Sequence, residues 1–141
     1  MMQSKRSLGT AATLLTLTIF VLAAGSAQSQ SIRLNASIPF AFYAGEKLLP
    51  AGTYHLERYG SGFYRIFTQG EDSAFFGTIS VSDLSSEHAA GKLIFHRYGK
   101  DYILSEMWWP GQSDGRKTLP TKIEREIATN AAPVHVQVAA Q

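Results

Sequence analysis

Apolar and polar residues alternate with a period of two along several short stretches of the chain. Between residues 32 and 42 the even positions are apolar, whereas the odd positions include Arg33, Asn35 and Ser37. Successive side chains of a β-strand point to opposite faces, so this pattern predicts a strand with one buried face. Pro39 cannot donate a ladder hydrogen bond, which predicts an edge position or a bulge at that point.

Further strands are predicted downstream, each bounded by turn residues. They cover residues 47–49, 53–58, 63–68, 74–81, 92–98 and 102–109, and residues after Pro133 form a last strand or a frayed end. The clearest hairpin joins the two segments that flank Gly99 and Lys100. A two-residue turn of type II′ at that point sets Phe95 opposite Leu104.

One helix is predicted, and it begins after Leu119-Pro120. Thr121 at the N-cap and Glu124 three residues later form a capping-box arrangement. The apolar stripe of this helix is short, so we expect the helix to cover one end or face of the sheet. The polar segments 82–91 and 111–116 are predicted to be loops, and the second is expected to be the mobile one.

Seven or eight short strands bounded by turns indicate an all-β, mainly antiparallel fold with one short C-terminal helix. A small β-barrel and a β-sandwich both fit the pattern. We expect a single β-rich domain over residues 28–141, which is long enough to bury a core. The chain has no cysteine. Because disulfides are therefore excluded, a hydrophobic core must supply the stability.

The first 27 residues have the pattern of a secretory signal peptide. Lys5 and Arg6 precede an apolar run over residues 8–24, and the small residues Gly25-Ser26-Ala27 follow. We predict cleavage after Ala27. A retained membrane anchor is the alternative, but threonines dilute the apolar run and no basic residue follows it until Arg33. The sequence thus predicts a periplasmic or secreted protein that meets the membrane only through its leader before cleavage.

Removal of the leader also changes the charge balance. Lys5 and Arg6 account for two of the 13 basic residues, so the mature domain carries as many basic as acidic residues, 11 of each. The basicity of the whole chain comes from the leader. We therefore expect no nucleic-acid partner, since such partners require a positively charged surface.

Catalytic and metal-binding patterns are weak in this sequence. None of the four histidines, at positions 55, 88, 96 and 135, has a spacing typical of metal ligands on one element. No Gly-x-Ser-x-Gly elbow occurs. We predict no catalytic residue, metal or cofactor. A hydrolase is a further alternative. It requires side chains from the set Glu57, Glu106, His55 or His96 to converge in one cleft. Against it, strand alternation predicts that His96 and Glu106 face opposite sides of their hairpin.

Two pairs of adjacent aromatic residues stand inside predicted strands, Phe75-Phe76 and Trp108-Trp109. Neighbours in a strand point to opposite faces, so one member of each pair should leave the main core. An exposed tryptophan beside Tyr98 or Tyr102 would stack on a sugar or dock a protein. The candidate contact residues are therefore Trp108, Trp109, Tyr102 and Tyr98. The competing interpretation is that both faces of the sheet are covered and that these rings are buried.

Several short motifs together resemble a family of short exported proteins that are numerous in acidobacterial genomes and have no assigned function. The motifs are Ile38-Pro39-Phe40-Ala41-Phe42, Leu49-Pro50-Ala51-Gly52-Thr53-Tyr54, Phe95-His96-Arg97-Tyr98-Gly99 with Tyr102-Ile103-Leu104, Leu119-Pro120 and Glu124-Arg125-Glu126. The resemblance covers most of residues 38–128. It implies an envelope or secreted protein, and it carries over no catalytic residue, cofactor or substrate.

The sequence leaves two main hypotheses for function. In the first, a non-enzymatic envelope domain binds or scaffolds an envelope protein or a glycan through an aromatic sheet face or through the loop over residues 111–116. A contiguous exposed apolar patch would support this hypothesis. In the second, a hollow barrel carries a small apolar ligand in a cavity lined by Phe40, Phe42, Tyr54 and Phe95.

Overall fold

The computed structural model describes residues 33–83 and 90–141 and contains ten strands and one α-helix. The strands are β1 (Leu34–Ile38), β2 (Phe42–Ala44), β3 (Lys47–Leu49), β4 (Gly52–Gly60), β5 (Phe63–Phe67), β6 (Ser73–Ser82), β7 (Gly91–Tyr98), β8 (Asp101–Trp108), β9 (Asp114–Thr118) and β10 (Val134–Ala140). Helix α1 spans Lys122–Ile127, and one 3₁₀ turn follows over Ala128–Asn130. The predicted leader and His88 lie outside the described residues. Within the described ranges, no helix has the length and apolar content of a membrane span.

Eight of the strands close into a barrel in the order β8-β7-β10-β1-β4-β5-β6-β9, and β9 pairs back onto β8. Every neighbouring pair in this ring is antiparallel. The all-β prediction is therefore confirmed, and the architecture is the barrel. The remaining strands, β2 and β3, form a hairpin whose first strand runs parallel to β8 at the pair Tyr43 and Ile103.

The hairpin of β7 and β8 has the predicted register at its turn, with Phe95 opposite Leu104. Gly99 has a φ of 60°, whereas Lys100, like the other non-glycine residues in the described ranges, has no positive φ. A positive φ at the first turn position alone fits the predicted type II′ turn. Beyond Leu104 a β-bulge shifts the register, so that Ile94 lies opposite Glu106. The prediction that His96 and Glu106 face opposite sides is therefore wrong, because the extra residue in a bulge moves all later side chains to the other face.

Two further segments differ from their predicted structure. Residues 114–118 were expected within and after a flexible loop, but they form β9, which pairs with β6 on one side and with β8 on the other. The predicted strand over residues 32–42 ends at Ile38, and Phe42 starts a second strand with a different partner. Pro39 lies between them, in accord with its inability to donate a ladder hydrogen bond.

Aromatic rings fill the interior at one end of the barrel. Phe42, Tyr54 and Phe95 are all completely buried. The Phe42 ring centroid lies 5.1 Å from that of Tyr54 and 5.4 Å from that of Phe95, both in edge-to-face geometry. Phe40 packs on Phe95 at 5.0 Å. The residues that would line a ligand cavity thus fill the space between them with their own rings.

The turn before β4 is tied to this core. The Tyr54 hydroxyl donates a 2.6 Å hydrogen bond to the carbonyl oxygen of Pro50. A buried tyrosine needs such an acceptor, because an unpaired hydroxyl in an apolar interior is costly. The segment from Leu49 to Tyr54, which contributes to the family resemblance, therefore has a structural explanation.

Helix α1 lies against the outside of the barrel. The Thr121 half of the predicted capping box is present, since the Thr121 hydroxyl accepts a 3.1 Å hydrogen bond from the amide of Glu124. The Glu124 carboxylate contacts His96 and Tyr98 rather than the Thr121 amide. None of the six helix residues is buried. The Glu124 carboxylate contacts His96 of β7, which fastens the helix to the barrel wall.

Candidate functional site

The predicted aromatic contact residues do not form an exposed surface. Trp108 is 5% exposed, Trp109 is 4% exposed and Tyr98 is 9% exposed. Tyr102 is half-buried and stacks on Phe40 with a 3.8 Å centroid separation. Trp108, Trp109, Tyr102 and Tyr98 thus lack the exposure on which their prediction as partner contacts depended, because three of these rings are buried and the fourth is packed on Phe40.

The two tryptophans are buried in different ways. Trp109 belongs to the barrel core and packs on Tyr64 at 5.6 Å. Trp108 leaves the core, as strand alternation predicts, but its ring lies directly over Gly115 of the neighbouring strand β9. Its indole Nε1 donates a 2.9 Å hydrogen bond to Glu106. One side of this outward-facing ring is therefore covered by β9.

A different set of aromatic residues is exposed, on the outer side of β4, β5 and β6. This aromatic face consists of Tyr59, Phe63, Arg65, Phe67 and Phe75. Tyr59 is 69% exposed, Phe63 56% and Phe75 53%. The Tyr59 and Phe75 rings meet edge to face at 4.9 Å. Phe63 lies opposite Gly77 of β6, and the Leu119 side chain covers that glycine.

Arg65 occupies the centre of the aromatic face. It lies opposite Glu57 of β4 and opposite Phe75 of β6. Its guanidinium carbon is 4.5 Å from the Phe67 centroid and 5.8 Å from the Phe75 centroid, both within cation–π range. The guanidinium therefore links aromatic residues of two strands into one surface.

Part of this face follows from the sequence and part does not. Alternation predicts that one of Phe75 and Phe76 leaves the core, and Phe76 is the buried member. The same alternation places Phe63, Arg65 and Phe67 opposite to the buried Tyr64 and Ile66. This alternation over residues 63–67 also indicates an exposed aromatic surface, but the sequence-based prediction did not include it. The assembly of one surface from three strands depends on the register between them, which local sequence does not contain.

A second polar cluster lies between the barrel and helix α1. His96 Nδ1 is 3.2 Å from a carboxylate oxygen of Glu124, and His96 Nε2 is 3.1 Å from the Ser105 hydroxyl. Because a carboxylate only accepts hydrogen bonds, Nδ1 carries the proton and donates to Glu124. In the neutral ring, Nε2 then accepts from Ser105. The His96 ring also stacks on that of His135 at 4.9 Å.

This order of serine, histidine and carboxylate is that of a nucleophile, its base and an orienting acid. The burial of Ser105 argues against catalysis. This residue is 3% exposed, so a substrate carbonyl cannot reach its hydroxyl. Moving helix α1 away to admit a substrate would also remove Glu124. The cluster therefore acts as a hydrogen-bond network that satisfies buried polar groups and fastens the helix.

The side chains that the hydrolase alternative requires are bound in separate places. His55 contacts the side-chain oxygen of Asn35 at 2.6 Å, and Glu57 lies between Arg33 and Arg65. Glu106 accepts from Trp108, and His96 contacts Glu124. Among the described residues, no group of three histidine, aspartate or glutamate side chains has a geometry that could hold a metal ion.

Alkaline pH offers a test of the buried tyrosines. Burial raises the pKa of Tyr54 and of Tyr98 above the ordinary value of 10.0, and nearby Asp72 and Glu124, respectively, raise it further. Above pH 10 the unfolded chain therefore binds fewer protons at these sites than the folded chain. We expect the free energy of unfolding to be insensitive to these two groups below pH 10 and to fall above it.

Urea unfolding followed from neutral pH to about pH 11 checks this expectation. In Tyr98→Phe, the loss of stability above pH 10 should be smaller than in the wild type. Tyr59→Phe is the control, since Tyr59 is the most exposed of the large apolar residues at 69%. A steeper alkaline decline in Tyr98→Phe, or an equal reduction in both variants, would contradict the assignment.

Comparison of the chain with protein-family models, with curated proteins and with solved structures gives no match.

Proposed function

We propose that the protein is an exported, non-enzymatic domain that binds another envelope component through the aromatic face of its barrel. The observation that carries the proposal is the joint exposure of Tyr59, Phe63 and Phe75 on one wall. Export is proposed from the leader pattern at residues 1–27, and membership of the short exported acidobacterial proteins from the motifs quoted above.

The exposed rings of the aromatic face leave apolar surface in contact with water. Burying a phenylalanine side chain completely is worth roughly 1.5–3 kcal/mol relative to leaving it in water. Phe63 and Phe75 are each more than half exposed, although their strands already bury Tyr64, Ile66 and Phe76 on the inner side. A contiguous apolar patch that folding leaves in water is typical of an interaction site.

The aromatic face is also held in place before any partner arrives. Its residues stand on paired strands, and Arg65 and Tyr59 brace the rings by the cation–π and edge-to-face contacts described above. Side chains that are already ordered lose little conformational entropy on association. Tyrosine and arginine are also the residue types enriched at the energetic centres of protein interfaces.

Site-specific photo-crosslinking tests the proposal. We would incorporate p-benzoylphenylalanine at position 63 or 75 and irradiate cells of the natural host that produce the substituted protein. Val134 is the matched control position, since it is 50% exposed and its strand β10 lies on the far side of the barrel from β6. We expect a discrete adduct from positions 63 and 75 and none from position 134.

A second variant distinguishes specific crosslinking from chance contacts. Phe75→Ser should reduce the adduct formed from position 63 by about tenfold, because the neighbouring ring contributes to the same surface. Equal adducts from all three positions would show non-specific contact. No adduct from positions 63 and 75 would remove the basis of the proposed function.

A further inference from the structure

We infer that the partner is a protein segment with apolar side chains next to a carboxylate, and that Arg65 binds this carboxylate. The inference rests on the proposed function, because it names the partner chemistry of the same aromatic face.

The charges on this wall are unbalanced. Glu57 is the carboxylate between two arginines, with 3.6 Å to Arg65 Nη1 and 3.8 Å to Arg33 Nε. Both separations exceed the range of a hydrogen bond. One cation next to the rings therefore lacks a full counter-charge, and a carboxylate of a partner supplies it.

The bonding of Arg65 points to the same conclusion. Its Nε is buried and has no hydrogen-bond acceptor among the described residues, so only the Nη end of the guanidinium is available to a partner. The side chain remains 37% exposed, which leaves the outer end of the guanidinium open to solvent. A guanidinium has five donors in a planar fork that matches a carboxylate with two parallel hydrogen bonds. Burial of this pair among aromatic rings strengthens its electrostatic attraction.

The ring arrangement favours a protein segment over a glycan or a lipid surface. A sugar stacks flat on an open ring face, but the Arg65 guanidinium lies over Phe67 and near Phe75, and the Tyr59 and Phe75 rings meet edge to face. Anionic membranes are recognised by clusters of about four to eight basic residues, whereas the ion pairs at this site join only two arginines to one glutamate. Apolar side chains that pack between exposed rings beside a charge pair are typical of protein interfaces.

Selection from a displayed library of random peptides, with the folded protein as bait, tests the inference. We expect the enriched peptides to contain aspartate or glutamate beside aromatic or aliphatic residues. For a selected peptide, Arg65→Gln should weaken binding by about thirtyfold, as is typical at the energetic centre of an interface. Arg65→Lys should restore only part of the loss, since an ammonium lacks the planar fork.

Glu57→Gln adds a readout that a merely structural role of Arg65 would not produce. It removes the internal competitor for the guanidinium, so binding should tighten by about threefold. Val134→Ser should leave binding unchanged. The melting temperature of each variant shows whether it is folded.

The results distinguish a failure of the proposed carboxylate contact from a failure of the proposed function. Enriched peptides without acidic residues, or peptides that bind Arg65→Gln as tightly as the wild type, would overturn the carboxylate while leaving the aromatic face as a site. A library without binders, or binding of phosphatidylglycerol vesicles or peptidoglycan fragments instead, would overturn the protein segment. Peptides that bind Phe63→Ser and Phe75→Ser undiminished would overturn the proposed function itself.

Discussion

Replacing Phe95 by alanine is expected to lower the free energy of unfolding by about 3–5 kcal/mol. Phe95 is completely buried, and its ring contacts both Phe40 and Phe42. The substitution removes the transfer free energy of the ring and leaves a void that paired strands cannot collapse to fill. Urea or thermal unfolding measures the loss directly.

The void also bears on the carrier hypothesis. In the wild type the aromatic rings fill this end of the barrel, so we expect benzene or xenon to leave its melting temperature unchanged. In Phe95→Ala the same ligands should enter the new cavity and restore part of the stability, since a dry apolar cavity binds such molecules.

Phe95→Leu serves as the control, because it keeps most of the volume and should lose clearly less stability than Phe95→Ala. A cost below about 1 kcal/mol for Phe95→Ala would mean that the interior is not packed as described. Stabilisation of the wild type by benzene would instead reveal a pre-existing cavity and favour the carrier.

Local sequence was sufficient to predict the β7–β8 hairpin and the start of helix α1. In the hairpin, Gly99 supplies the positive φ that a tight turn needs, and the alternation on either side sets Phe95 opposite Leu104. At the helix, the Thr121 hydroxyl satisfies an amide of the first turn. Each of these features is formed by residues close in sequence, so a short segment of the sequence is enough to predict it.

Strand β9 and the bulge in β8 could not be predicted in this way. The sequence of β9, Asp114–Thr118, is polar and contains a glycine, which locally favours a loop. It becomes a strand because β6 and β8 pair with it on both sides, and the Thr118 hydroxyl donates a 2.9 Å hydrogen bond to the Leu104 carbonyl. The bulge likewise follows from the match between two strands rather than from either strand alone.

The exposed aromatic residues were likewise only partly predictable from local sequence. Alternation within β5 and β6 separates the outward Phe63, Arg65 and Phe75 from the buried residues between them. The tryptophans misled the prediction because their burial depends on the strands beside them: the glycine at position 115 of β9 leaves room for the Trp108 ring, and Trp109 packs on Tyr64 of β5. Which aromatic residue stays exposed is thus decided by what the neighbouring strand carries.

Gly115→Ala is therefore expected to destabilise the barrel by about 2–3 kcal/mol, in the range of overpacking substitutions. A Cβ at this position would lie 2.7 Å from two carbons of the Trp108 ring and 2.9 Å from the Met107 carbonyl oxygen. The carbonyl belongs to a paired strand and cannot retreat without loss of the β8–β9 ladder. A shift of the ring would also disturb its hydrogen bond to Glu106.

Unfolding experiments measure the stability, and the indole N–H resonance of Trp108 reports whether the ring has moved. Gly60→Ala is the matched control, because nothing lies within 4 Å of a Cβ there, and its cost should stay within about 0.5 kcal/mol. In a Trp108→Leu background the cost of Gly115→Ala should shrink, since the ring part of the clash is gone while the carbonyl part remains. Equal stability of Gly115→Ala and wild type, with an unshifted indole resonance, would contradict this packing and with it the reason that Trp108 is closed to a partner while the aromatic face is open.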